Sequence, residues 1–150
     1  MTNTPRIEQA ILKLYTAFYN QTLIPESCTH CAVGNICNNT EAWSNFTDIH
    51  GSVKLNYVGM VHQKIERKHY GYSPLELLQI EATFLKACGF NLPLRGNYKR
   101  PTKLTDDLLF TALEKTISFL CKLDGVTNVF DYSNVIRERI LNNSNESVVA

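Results

Sequence analysis

At 150 residues, 44% hydrophobic and 19% charged, the chain is long enough to bury one apolar core without staples and has the composition of a folded domain, not a disordered one. Fifteen basic residues against fourteen acidic ones leave a formal net charge of +1, which excludes the basic excess of a general nucleic-acid binder. No stretch approaches the roughly 18 apolar residues of a spanning helix, and the first residues lack the charged-then-apolar run of a signal peptide, so the expectation is a cytoplasmic protein. Its five cysteines are then free thiols, ligands or redox groups instead of a disulfide framework.

In chain order, Thr4 and Pro5 make a cap-then-proline start for a first helix to about Asn20, with Ile7, Ala10, Ile11, Leu14 and Phe18 on its apolar face. Thr22 to Glu26 is a turn. Ser27 can cap a second helix running through Cys28, Cys31 and Cys37 to about Asn38, and Thr40 a further turn around Trp43. Asp48 to Ser52 reads as a loop. Residues 53–70 carry both an alternating pattern (Val53, Leu55, Tyr57) and a helical stripe (Tyr57, Val58, Val61, Ile65); with no second strand to pair with, helix is the expectation. Ser73-Pro74-Leu75-Glu76 combines a capping box with proline at the first helical position, opening a helix that ends at Cys88 and Gly89. A basic loop from Phe90 to Leu104 follows. Thr105, Asp106 and Asp107 then start a long helix that Gly125 ends, and a last helix near Asn134 to Leu141 leads into a polar tail, residues 142–150. The sum is an all-α, single-domain bundle of five or six helices over residues 1–141.

The segments Cys28-Thr29-His30-Cys31-Ala32-Val33-Gly34-Asn35-Ile36, Leu55-Asn56-Tyr57-Val58-Gly59 and Tyr72-Ser73-Pro74-Leu75-Glu76-Leu77-Leu78-Gln79-Ile80-Glu81 resemble those of a family of small uncharacterised bacterial proteins, over residues 7 to about 135. Some members carry the name of the ferredoxin-bearing component of the sodium-translocating NADH-quinone reductase. That name implies an iron–sulfur cluster and a nucleotide site. Here, however, C-x₂-C-x₅-C has three cysteines with the narrow gap first, and no glycine-rich dinucleotide fingerprint is present.

Three constellations carry candidate chemistry. Cys28, Cys31 and Cys37, with His30 between them, supply soft ligands for zinc or iron. On an unbroken helix, though, Cys37 lies about 180° from Cys28, so all three meet only if Gly34-Asn35 breaks it. Cys28-Thr29-His30-Cys31 also resembles the active site of dithiol–disulfide exchangers, and the same cysteines can simply form the apolar face of a short helix. Glu81 is the second. It sits mid-way along the apolar arc of its helix, where a carboxylate must be paired, protonated or metal-bound, with His50, His62, Arg67 and Tyr57 as candidate partners. A helix over 53–70 would also place His62, Glu66 and His69 on one flank, spaced to chelate a transition metal. Third, Arg95, Lys99, Arg100 and Lys103 form an anion-binding candidate. No complete catalytic motif is present. The expected function is an accessory or protein-interaction module with a protein partner, neither membrane nor nucleic acid, and homo-oligomerisation left open; the alternative is a metal-binding or thiol-redox protein using the cysteine segment.

Overall fold

The computed structural model describes residues 6–90, 92 and 104–125, and among these the protein is helical. Helix α1 spans Arg6–Tyr19, α2 Ala32–Ile36, α3 Tyr57–Lys64, α4 Pro74–Ala87 and α5 Asp106–Leu123, with a 3-10 turn at Ala42–Phe46. Pairing of strand type among the described residues is limited to an isolated bridge between His69 and Tyr72. No described helix is long and apolar enough to cross a membrane.

Helix α4 is the hub: it packs against α2, α3, α5 and the 3-10 turn, while α1 closes the bundle against α2 and α5. Its start is fixed as the sequence implies. The Ser73 hydroxyl accepts from the Glu76 amide and the Glu76 carboxylate accepts from the Ser73 amide, with Pro74 leading the first turn; such a cap contributes about 1 kcal/mol. A further donor of that turn, the Leu75 amide, is satisfied from outside by the Gln63 side chain of α3, at 3.0 Å. The core gathers Ile11, Leu14 and Tyr15 of α1, Ile36, Trp43, Leu77, Ile80, Phe84 and Leu85, and Leu113, Ile117 and Leu120 of α5, all buried. Burying each large side chain is worth about 1.5–3 kcal/mol, so this cluster and not the polar contacts dominates stability.

One polar clamp joins distant parts of the chain. The Arg6 guanidinium donates to Asp124 at the end of α5 (2.7 Å), to the Gly71 carbonyl (2.7 Å) and to Glu76 (3.0 Å), and lies 4.4 Å above the Tyr72 ring. Burial opposes ionisation of Glu76, but the Ser73 amide and Arg6 overcome it and hold its carboxyl below the ordinary range.

Several expected boundaries move. Cys31, not Ser27, caps α2: Ser27 to Cys31 forms a separate turn in which the His30 and Cys31 amides both donate to the Ser27 carbonyl. Gly34-Asn35 does not break α2, which runs unbroken to Ile36. Thr40 caps nothing at Trp43; its hydroxyl turns back to the Cys37 carbonyl. The helix expected over 53–70 is only Tyr57–Lys64, because Asn56 caps it by accepting from the Gly59 amide and Glu66, at φ 58°, leaves helical space. The basic loop residues 93–103, the helix expected near 134–141 and the tail 142–150 lie outside the described residues.

Candidate metal centre

Glu81 is 1% exposed, and three segments converge on it. From the amino end of α2, the Val33 amide donates to Oε1 at 3.2 Å. From the loop 47–52, His50 brings Nε2 to 2.6 Å from Oε2, an ion pair when the imidazole is protonated. Cys31 Sγ completes the group. One ligand atom from each of Cys31, His50 and Glu81 lies within 4.8 Å of the others, and among the described residues this is the one such cluster of three.

Each arm is built from local necessity. Glu81 is inside because α4 buries Leu77, Leu78, Ile80, Ala82, Phe84 and Leu85 around it, leaving its phase no other direction. Cys31 precedes the first helical residue of α2, where an oxygen side chain normally accepts from an orphan amide. Here the sulfur does so, taking the Gly34 N–H at 3.3 Å. The loop bearing His50 is tied at its base, where Thr47 Oγ1 donates to the Lys54 carbonyl (2.8 Å) and the Asn56 amide to the Phe46 carbonyl (2.8 Å). Trp43 serves two arms at once, since its indole N–H donates to the Cys28 carbonyl (2.9 Å) and its ring packs edge-on against His50.

Electrostatically the pocket is short of positive charge. Burial, and then the negative charge of Glu81, pushes the Cys31 thiol well above its ordinary value; the Gly34 N–H only partly opposes this. A divalent cation reverses that logic by stabilising the thiolate directly. Thiolate, imidazole and carboxylate are all zinc ligands. In a tetrahedral zinc site, with metal–ligand bonds of about 2.0–2.3 Å, the donor atoms stand about 3.3–3.6 Å apart. With donors up to 4.8 Å apart, surrounding an ion would open the His50–Glu81 contact by less than about 1 Å and close the longest one by up to about 1.5 Å.

The other sequence candidates fall elsewhere. All five cysteines carry free thiols, Cys28 and Cys31 among them. Cys37 is at the far end of α2, where burial pushes its thiol to about 12 despite the nearby Lys13. His30 is not part of the cluster, and its Nδ1 is bonded to Thr29 Oγ1 at 2.8 Å. His62, Glu66 and His69 do not share a helix flank. Because α3 stops at Lys64, His69 returns through a turn instead and stacks on His62, Nδ1 to Nε2 at 3.3 Å, both rings lying against Phe46. Glu66 is exposed and stays out of this pair. Arg95, Lys99, Arg100 and Lys103 lie outside the described residues. His50 is the member of the cluster that sequence reasoning did not assign to a metal. It sits in a loop without periodicity, and the only signal for it is that a buried Glu81 needs a partner.

No family model, no curated protein and no solved structure matches this chain.

Proposed function

We propose that this is a small metal-binding helical protein in which one zinc ion, held by Cys31, His50 and Glu81, ties the cysteine segment, the loop 47–52 and α4 into one unit. The observation that carries this reading is the convergence of three different donors, from three separate segments, within 4.8 Å. One thiolate and one carboxylate neutralise a divalent charge, and neutral imidazole completes a mixed set that suits zinc better than the harder magnesium or calcium. The role is structural. The surface clefts lined by Val53, Gln79 and Phe119, and by Asp48, Lys54 and Met60, do not include the three donors, and Cys31 and Glu81 are buried, which suits a structural ion. The reading takes a cytoplasmic location, where thiols stay reduced.

Metal analysis of the purified protein, with thermal melts before and after chelation, tests it. About one equivalent of zinc is expected, with a lower melting temperature once it is removed, since an ion at 100 times its dissociation constant adds about 2.7 kcal/mol. A metal-free protein with an unchanged melt would leave Cys31 as packing and His50–Glu81 as a buried ion pair.

A second reading, compatible with the first, is carried by α3. Tyr57 is 78% and Ile65 62% exposed, with Val58, Met60 and Val61 also at the surface. A helix that turns this much apolar surface outward fits a protein-interaction module. Sedimentation of the wild type against a Tyr57→Ser/Ile65→Ser variant checks it: a shift toward the monomer in the variant supports self-association through this face.

A further inference from the structure

We infer that Cys28 is the fourth ligand of the Cys31–His50–Glu81 centre, so that the site is a closed Cys₂–His–Glu zinc site and not a three-ligand site with an open position. This rests on the metal-binding reading above and extends it.

The turn from Ser27 to Cys31 is one helical turn by its hydrogen bonds, the Cys31 amide donating to the Ser27 carbonyl at 2.8 Å. Residues three apart on such a turn project to the same side, with Cβ atoms about 5–6 Å apart. Cys28 therefore projects from the same side of the turn as Cys31; its Sγ lies outside the 4.8 Å group, and rotation about its one side-chain torsion is what would bring it in. The placement is held from several directions. The Cys28 carbonyl accepts from Trp43 Nε1 at 2.9 Å and faces Cys31 Sγ at 3.7 Å. Behind it, Gly34 leaves no room: a Cβ there would stand 2.5 Å from the Cys28 oxygen and 2.5 Å from the Thr29 carbonyl carbon. Gly34 has a helical backbone and no need of glycine's conformational freedom, so close approach of the Cys28–Thr29 backbone is what requires it.

The thiol lies in the field of the cluster. Burial and the charge of Glu81 raise the Cys28 thiol, and Cys28 in turn acts on Cys31. Cys37 sits at the opposite end of α2, and His30, whose Nδ1 is bonded to Thr29, is not among the grouped donors. Cys28 is also half-buried where Cys31 is fully buried. It is the arm that reaches solvent, through which an ion enters and behind which the site closes.

Cobalt(II) added to reduced, metal-free protein reads the number of thiolates directly. Wild type should bind about one equivalent with a thiolate-to-cobalt charge-transfer band, and Cys28→Ser should bind it with about half that intensity and at least about tenfold more weakly. Cys37→Ser should match the wild type. One cobalt bound by Cys28→Ser at full intensity overturns the fourth-ligand assignment and leaves the three-donor site standing; a wild type that takes up no cobalt overturns both. Alkylation of the unsubstituted protein gives a measurement free of folding effects. Cys28 should react with iodoacetamide without metal and be protected at least about tenfold by one equivalent of zinc. Equal labelling with and without zinc counts against it.

Discussion

Two clusters of ligand-type side chains each pack against an aromatic residue of the 3-10 turn. Trp43 packs against His50 of the inner cluster, and Phe46 against His62 and His69 of the outer one. The inner one contains a carboxylate that α4 cannot expose, so backbone and side-chain donors from two other segments are drawn to it. The outer one has two half-buried imidazoles and no buried anion, and it resolves itself by stacking. Donor identity alone does not make a site. A buried charge does, because the fold has to be arranged around satisfying it.

That contrast can be broken most sharply at Glu81. Glu81→Ala leaves His50 and the Val33 amide facing an empty pocket, and should lower stability by about 3 kcal/mol or more in urea unfolding. Glu81→Gln should cost less, by keeping shape and one acceptor. An alanine variant as stable as the parent would show the inner cluster to be no more organised than the outer. Next comes Gly34→Ala, whose methyl must displace the Cys28–Thr29 backbone. A loss of about 1–3 kcal/mol is expected, together with weaker cobalt binding, read by melting and by titration on the same sample. Weakened metal binding with an unchanged melt would confine the effect to the site.

The smallest effect belongs to the outer pair and is a pH dependence. Burial, then the charges of His62 and Arg67, hold His69 below its ordinary value. The unfolded chain therefore takes up the proton first. The associated stability is present above about pH 6.5 and is lost as the pH falls through the lower, folded value. His69→Gln should flatten the decline in urea midpoint between about pH 7.5 and pH 5.5. Loss of the Glu76 contacts lies lower still, below the ordinary carboxylate range, because that carboxyl is depressed. An unchanged slope in His69→Gln would assign the decline to other groups.

Much of the scaffold was legible because its signals are local. Ser73-Pro74-Leu75-Glu76 and Thr105 predict the starts of α4 and α5, and both caps form as written. The inward phase of Glu81 was equally legible, since an apolar arc on a well-bounded helix tolerates boundary errors. What escaped was non-local. Nothing near Cys31 in sequence says that its sulfur will replace a capping oxygen, and nothing near Lys64 says that α3 stops there, well short of residue 70. His50 reaches Glu81 through the closure of the loop 47–52 at its base and the packing of its ring on Trp43, neither of which is local in sequence. A helical reading extended through 53–70 put Glu66 beside His62 and His69, and one left-handed residue was enough to undo it.

The clamp at Arg6 has a mechanical consequence. Arg6 and Asp124 are 118 residues apart along the chain yet share a hydrogen bond, so the outer ends of the described fold sit side by side. Tension applied between residues 6 and 124 would load that guanidinium–carboxylate pair before any helix–helix interface, peeling α1 from α5 contact by contact. In an optical trap the bundle should yield in an unzipping geometry, at a lower force than when pulled between residues 19 and 124. Arg6→Ala should remove the first resistance while leaving the core to unfold afterwards.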